Sequence, residues 1–176
     1  MKIRTVTVVC VLALVAMLLP VLLVSAAPPG RPVYAILGPV CEVWFTFRES
    51  GNAIHYRSEQ YREFISSDPD VAGVQRIFIE PGCNGFPLAS PCKGSGRLVP
   101  GATMKTDGSC AADGMNSPDY WEGPFTWNAT TSAHNRLKGV AKGFGRFRGL
   151  EMRVELLLTE PEQMVGWIIE TGGYGR

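Results

Sequence analysis

Three of the four tryptophans and one of the two histidines are the side chains best suited to hold a ligand. Trp44, Trp121 and Trp127 lie in alternating segments near polar loops. Aromatic rings in such positions offer a large apolar area for stacking on apolar or aromatic molecules. His55 lies in another alternating segment and adds one polar contact, whereas Trp167 is flanked by Val, Gly and Ile and is interpreted as core. We therefore expect Trp44, His55, Trp121 and Trp127 to line a site for a small hydrophobic or aromatic ligand.

Enzymatic chemistry finds little support in the sequence. There is no Gly-x-Ser-x-Gly motif, and a Ser/His/Asp arrangement would have to use one of two histidines, His55 or His134. His134 lies in a polar turn, which is typical of an exposed residue. An isomerase-like barrel enzyme is the alternative, and it would need a buried acid with a perturbed pKa, for which Glu42, Glu59 and Glu122 are the candidates. We expect binding without catalysis, and no metal or cofactor.

The cysteines predict disulfides in preference to a metal site. Of five cysteines, Cys10 lies in the apolar N-terminal run, and the even number that remains is typical of an exported protein with disulfides. Three pairings are possible for four cysteines. We favour Cys83–Cys92, which would close a Pro- and Gly-rich loop, together with Cys41–Cys110. Zinc is disfavoured because the chain has no Cys-x-x-Cys and neither histidine is near a cysteine in sequence.

A basic and aromatic stretch is the second candidate for binding. Its members are Arg136, Lys138, Lys142, Phe144, Arg146, Phe147, Arg148 and Arg153. Positive charge beside aromatic rings is the pattern of proteins that bind single-stranded nucleic acid. Export and a near-neutral net charge argue against nucleic acid, which leaves an envelope or polyanion-binding protein as the functional alternative. The other interpretation is that strand alternation places these basic residues on a solvated outer face.

The N-terminus has the anatomy of a secretory signal. Met1–Arg4 is short and positive, Thr5–Val24 is almost purely apolar, and small residues up to Ala26 provide a cleavage site. An uncleaved membrane anchor is the alternative, which Pro20 near the end of the run disfavours. Removal of residues 1–26 takes two of the seventeen basic residues and leaves fifteen against sixteen acidic ones, a net charge of −1. We expect a secreted protein whose mature form has no membrane contact.

Beyond the leader the sequence predicts strands, many turns and very little helix. Alternating apolar and polar runs recur at hairpin spacing, separated by clusters of Gly, Pro, Asn, Asp and Ser. In Val40–Phe47 the alternation places Cys41 and Phe45 on the same side. About eight such strands predict an all-β antiparallel barrel, with a β-sandwich as the alternative. We expect residues 27–39 to form an N-terminal segment and residues 40–176 a single barrel domain.

The stretch from Gly139 to Gly149 predicts a bent strand pair within that barrel. Its closely spaced glycines are unfavourable in a helix but suit a curved sheet, because glycine permits bulges and close backbone approach. The pattern Gly143-Phe-Gly-Arg-Phe-Arg-Gly149 resembles the glycine- and aromatic-rich strand pair of the allene oxide cyclase and dirigent barrels, and of exported bacterial β-barrel proteins of that type. The resemblance covers roughly residues 40–170 and implies a small calycin-like barrel. It carries no catalytic residue to this chain.

Overall fold

The computed structural model describes residues 30–50, 53–79, 92–129, 135–158 and 161–171. These residues form ten β-strands and a short 3-10 helix at Gly145–Phe147. The strands are β1 Arg31–Ser50, β2 Ala53–Ile65, β3 Gly73–Ile79, β4 Cys92–Pro100, β5 Thr103–Met104, β6 Ala112–Asp113, β7 Trp121–Ala129, β8 Asn135–Gly143, β9 Leu150–Leu157 and β10 Gln163–Glu170. The all-β prediction is confirmed for the described part of the chain.

Eight of these strands close into an antiparallel barrel. Their order around the wall is β1-β10-β9-β8-β7-β4-β3-β2, while β5 and β6 form a separate two-stranded hairpin. Closure pairs every wall strand on both sides and so removes the exposed edges that would otherwise invite aggregation. The predicted eight-stranded barrel is therefore confirmed. Within the described residues no helix is long and apolar enough to cross a membrane.

In most of the wall strands, alternate side chains point into the barrel. In β10, Met164 and Ile168 are buried and face inward, whereas Trp167 is 38% exposed on the outer face. The prediction that Trp167 is a core residue is therefore wrong. In β7 the inward residues Trp121 and Phe125 are likewise buried, so one large apolar core fills much of the space enclosed by the wall.

Strand β1 begins earlier and bends more than the sequence suggested. Its first residues, from Arg31 onward, pair with β10, so part of the expected N-terminal segment belongs to the barrel. The register with β2 shifts between Leu37 and Val40 and again just before Trp44. The second shift puts Cys41 and Phe45 on opposite faces, because Cys41 pairs with an outward residue of β2 and Phe45 with an inward one. Their predicted common side is therefore wrong. The predicted leader lies outside the described residues.

The glycine-rich stretch does form an antiparallel strand pair, β8 with β9. The connection is longer than predicted, since the 3-10 helix and Gly149, with φ of +85°, separate the strands. Arg146 and Arg148 therefore lie in this connection and not on a strand face. Gly145 is required there, because its φ is +61° and a Cβ would lie 2.1 Å from Oδ1 of Asp119.

The segment between β4 and β7 packs against the outside of the barrel. It contains the β5–β6 hairpin and builds a second, smaller core on Val74 and Val99, the outward residues of β3 and β4. A disulfide between Cys41 of β1 and Cys110 fastens this segment to the wall and confirms that predicted pairing. For the predicted Cys83–Cys92 pair, Cys83 and the side chain of Cys92 lie outside the described residues.

Candidate functional site

One wall of the barrel lumen is apolar. Strands β7 to β10 supply its inward side chains, which are Trp121, Phe125, Leu137, Met152, Leu156 and Met164, all of them buried. The Phe125 ring lies directly over β4, where a Cβ added to Gly94 would be 2.3 Å from Cζ. This packing contributes the bulk of the apolar burial that stabilises the barrel.

The opposite wall mixes polar and apolar side chains. Its polar residues are Ser58, Gln60 and Arg62 of β2, together with Gln75 of β3, which is the register partner of Arg62. Phe64, Ile77 and Ile79 face inward on the same two strands and are buried. Ser58 is fully buried and Arg62 is 5% exposed. A stripe of polar side chains facing an apolar wall makes the lumen amphipathic. That combination is typical of sites for small molecules, in which a few polar groups orient a mostly apolar ligand.

Two of these polar side chains are held by protein partners. Gln60 donates from Nε2 to Oε1 of Glu42 at 3.0 Å. Arg62 donates from Nε to the carbonyl oxygen of Gly38 at 2.8 Å and forms an ion pair with Glu162. These contacts offset the cost of placing polar and charged groups inside the barrel. They also fix the ends of both side chains, so the wall is ordered before any ligand arrives.

The other two members carry buried oxygens that no protein group satisfies. Within the described residues, Oγ of Ser58 and Oε1 of Gln75 have no hydrogen-bond partner. A buried acceptor left unsatisfied costs about 1–3 kcal/mol, so native structures contain few of them. A donor brought in from outside the chain would recover that cost. Oε1 of Gln75 and Oγ of Ser58 are therefore able to accept a further hydrogen bond.

Gln75 faces a cavity of about 30 Å³ in the barrel core. Trp121 lines the same cavity, together with Met152, Met164 and other apolar residues of the opposite wall. Glycines help to open it: a Cβ added to Gly96 would lie 2.7 Å from Nε2 of Gln75 and would push that amide aside. Since a water molecule needs about 10–15 Å³ measured in this way, the cavity holds about two water-sized groups as it stands.

Trp121 is the sequence-predicted residue that lines this cavity. It is fully buried, and its indole nitrogen donates to the carbonyl oxygen of Asp70 at 2.8 Å. Its ring stacks on Phe147 with a centroid distance of 4.5 Å. The indole is therefore fixed at one edge and on one face, and what it can offer a ligand is the rest of its apolar surface.

Of the two remaining predicted residues, the structure places only the side chain of Trp127, which does not reach the cavity. Trp127 is partly buried and packs against the main core, further along the inner face of β7. His55 pairs with Arg48 in the β1–β2 ladder, and its side chain lies outside the described residues. Trp127 does not line the cavity beside Gln75.

Trp44 lies on the outer face of the barrel, not in the lumen. The register shift before it aligns it with Glu59, an outward residue of β2. Its indole nitrogen donates to Oε2 of Glu59 at 3.0 Å, and the Arg57 guanidinium lies 5.5 Å from the ring centroid. Alternation alone does not predict a β-bulge. The prediction that Trp44 lines a site in the lumen is therefore wrong.

The candidate acids of the enzymatic alternative lie away from the cavity. Glu59 is an outward residue whose Oε1 accepts a hydrogen bond from Nε of Arg76 at 2.8 Å. Burial raises the pKa of Glu59, but the hydrogen bonds from Arg76 and Trp44 and the positive charge of Arg76 outweigh it and leave the pKa below its ordinary value. Glu122 is exposed on the outer face, and Glu42 is exposed where it accepts from Gln60.

The basic residues predicted to bind a polyanion are largely paired with acids of their own sheet. Glu155 of β9 accepts Arg136 at 3.0 Å and Lys138 at 3.7 Å. Arg153 lies 2.8 Å from Glu151. Much of the positive charge on the outer face of β8 and β9 is thus neutralised locally, in agreement with the interpretation of a solvated face.

Sequence reasoning missed Ser58 and Gln75. Both are polar residues in alternating segments, where an outward orientation is the usual expectation. A usable signal was present for Gln75, which alternates with Ile77 and Ile79. Residues at i and i+2 share one face of a strand, so these apolar neighbours place Gln75 on the inner face. Ser58 has Tyr56 and Gln60 at the corresponding positions, so no comparable signal marks it.

Comparisons with known proteins identify no relative. No family model, no curated protein and no solved structure matches the chain. The resemblance to the allene oxide cyclase and dirigent barrels stays a prediction from the sequence.

Proposed function

We propose that this protein binds, without catalysis, a small uncharged molecule that is apolar apart from one hydroxyl or N–H group. The observation that supports the proposal is the unsatisfied Oε1 of Gln75 at a cavity whose other walls are mostly apolar. The ligand's donor would face Gln75, and its apolar part would pack on Trp121 and the two methionines. The disulfide is consistent with an oxidising compartment, so we place this function outside the cytosol.

The size of the cavity limits the ligand. A volume of about 30 Å³ admits a group of a few non-hydrogen atoms without rearrangement. Larger ligands, of the kind that fill pockets of about 300 Å³ or more, would require the lining to move. Met152 and Met164 are the lining residues able to do so, because methionine is unbranched and adapts its rotamers readily. The proposed ligand is therefore small, or is the narrow polar end of a longer molecule.

Pairs of isomers that differ only in their donor provide the test. Calorimetry compares 1-butanol with diethyl ether, which has the same atoms and no hydrogen-bond donor. If the donor satisfies Gln75, the alcohol binds more tightly by about 1–3 kcal/mol, or roughly 5- to 150-fold. Ala141→Val, which narrows the cavity, should abolish the difference, while Lys138→Gln on the outer face serves as a matched control and should preserve it. Equal affinity for both isomers, or no binding of either, would refute the proposal.

A further inference from the structure

An arginine-rich surface covers the outer face of β2, β3 and β4. We define this arginine face by Arg57, Arg76, Lys93 and Arg97, which are outward residues of these strands. Arg57 and Lys93 are exposed, Arg76 is 40% exposed and Arg97 is partly buried. The face lies apart from the lumen, so it has no role in the proposed ligand site.

Two of its arginines are placed directly opposite each other. Arg76 of β3 and Arg97 of β4 are register partners in an antiparallel ladder and point to the same side. Like charges at such positions repel and destabilise the sheet. Sequence and fold together therefore concentrate positive charge where stability alone would disfavour it.

Aromatic rings hold these arginines in place. The guanidinium carbon of Arg76 lies 4.5 Å from the Phe78 ring centroid, and that of Arg97 lies 3.6 Å from the Tyr120 ring centroid. Arg57 lies over Trp44 on the neighbouring strand. Stacking on a ring uses the flat face of a guanidinium and leaves N–H groups at its edge, which Arg57 can offer to an anion. Arg97 is less accessible, since it donates to the carbonyl oxygen of Ser117 at 3.4 Å and its Nε is buried.

Acids neutralise only part of this charge. Glu59 pairs with Arg76 at 2.8 Å. Within the described residues, Arg57, Lys93 and Arg97 form no ion pair, in contrast to the basic residues of β8 and β9 that Glu151 and Glu155 accept. Glu122, an exposed residue of β7, lies opposite Arg97 in the ladder. Among the described residues, Arg57 and Lys93 are therefore the exposed cations of this face that are best placed to meet an external anion.

We propose that the arginine face binds an anionic polysaccharide. Its exposed cations, above all Arg57 and Lys93, would contact the carboxylate or sulfate groups of the polymer. Phe78 is 36% exposed next to Arg76 and adds apolar surface to this face. Single-stranded nucleic acid offers similar chemistry, but the Cys41–Cys110 disulfide favours an oxidising compartment, where glycans are the more abundant polyanions.

Two double variants with the same change in charge test the assignment. Arg57→Gln/Lys93→Gln removes cations from the arginine face, and Arg136→Gln/Lys138→Gln removes two from the β8 face. Surface plasmon resonance measures binding to heparin and to polygalacturonate over a range of salt concentrations. The first variant should weaken binding about tenfold or more and flatten the dependence of log affinity on log salt by about 2, as expected when two ionic contacts are lost. The control should change affinity less than about twofold.

Three results would overturn the proposal. The first is a wild-type protein that binds neither polysaccharide at low salt. The second is a control variant that loses as much affinity as Arg57→Gln/Lys93→Gln. The third is oligo(dT) binding as tightly as either polysaccharide, since the surface would then not select a glycan. Urea unfolding of both double variants confirms that any loss of binding occurs in a folded barrel.

Discussion

Replacement of Gln75 by methionine should stabilise the barrel, which is unusual for a core substitution. The change removes a buried oxygen that finds no hydrogen-bond partner among the residues that the structure describes, and it puts an apolar side chain of similar length in its place. Removing such an acceptor recovers about 1–3 kcal/mol. The cavity beside it, about 30 Å³ in volume, is present in both proteins and therefore contributes little to the difference between them. We expect a net gain of about 1–3 kcal/mol.

Gln60 provides a matched control for this prediction. It has the same side chain, faces the lumen from the neighbouring strand and donates to Glu42. Gln60→Met breaks that hydrogen bond, which is exposed to solvent, and should destabilise the protein by about 0.5 kcal/mol. Urea unfolding followed by circular dichroism gives both free energies of unfolding, provided that the slope with urea is unchanged. In a domain of this size, each kcal/mol also shifts Tm by about 2–4 °C.

The two substitutions must therefore act in opposite directions. If Gln75→Met destabilises the protein as much as Gln60→Met does, then Oε1 of Gln75 is satisfied in solution, for example by bound water. The argument for a ligand donor would then fail. If Gln75→Met stabilises the barrel and also removes the preference for 1-butanol over diethyl ether, the same oxygen accounts for both the lost stability and the binding.

Three further substitutions test other parts of the structure. Cys110→Ser removes the disulfide to Cys41, which spans a sequence separation of 69 residues. The free energy of unfolding in urea should fall by about 2–4 kcal/mol. An unchanged value would show that the disulfide does not stabilise the fold. Glu59→Gln should make the free energy of unfolding fall less steeply as the pH is lowered. The lowered pKa of Glu59 stabilises the wild type above about pH 4.3, and this contribution disappears as pH falls through the folded-state pKa. The same loss of unfolding free energy at acid pH in both proteins would refute this. Gly123→Ala places a Cβ 2.0 Å from a backbone oxygen and should lower the free energy of unfolding by more than about 2 kcal/mol. At Gly139 the nearest atom would be 3.4 Å away, so Gly139→Ala should change it by no more than about 1 kcal/mol. Equal effects would contradict the close approach at Gly123.

The barrel itself could be predicted because its signals are local and repeated. Alternation of side chains and clusters of turn residues recur along the chain, and together they specify strands of hairpin spacing. Closure follows because edge strands are unfavourable. The β5–β6 hairpin gave no such signal, because strands of two residues are too short to show alternation.

The candidate site could be predicted only in part, and the reasons are geometric. Trp121 was found because its ring occupies an inward position of a regular strand. Trp44 was misplaced because a single register shift turns it outward, and the sequence near it contains neither Gly nor Pro to mark the shift. Gln75 was missed because its burial depends on barrel closure, which brings the side chains of β7 to β10 over it. Local sequence reports the face of a strand but not what covers that face.

The central claim is that the lumen holds a small uncharged ligand through Oε1 of Gln75. Native mass spectrometry of the protein purified from its own host tests it most directly. The account predicts a mass above that of the folded polypeptide, an excess that is released on denaturation and identified as a small neutral molecule with a hydroxyl or N–H group. The same excess should be absent from Gln75→Met. A mass equal to the polypeptide alone in the wild type, or an excess that Gln75→Met retains in full, would contradict it.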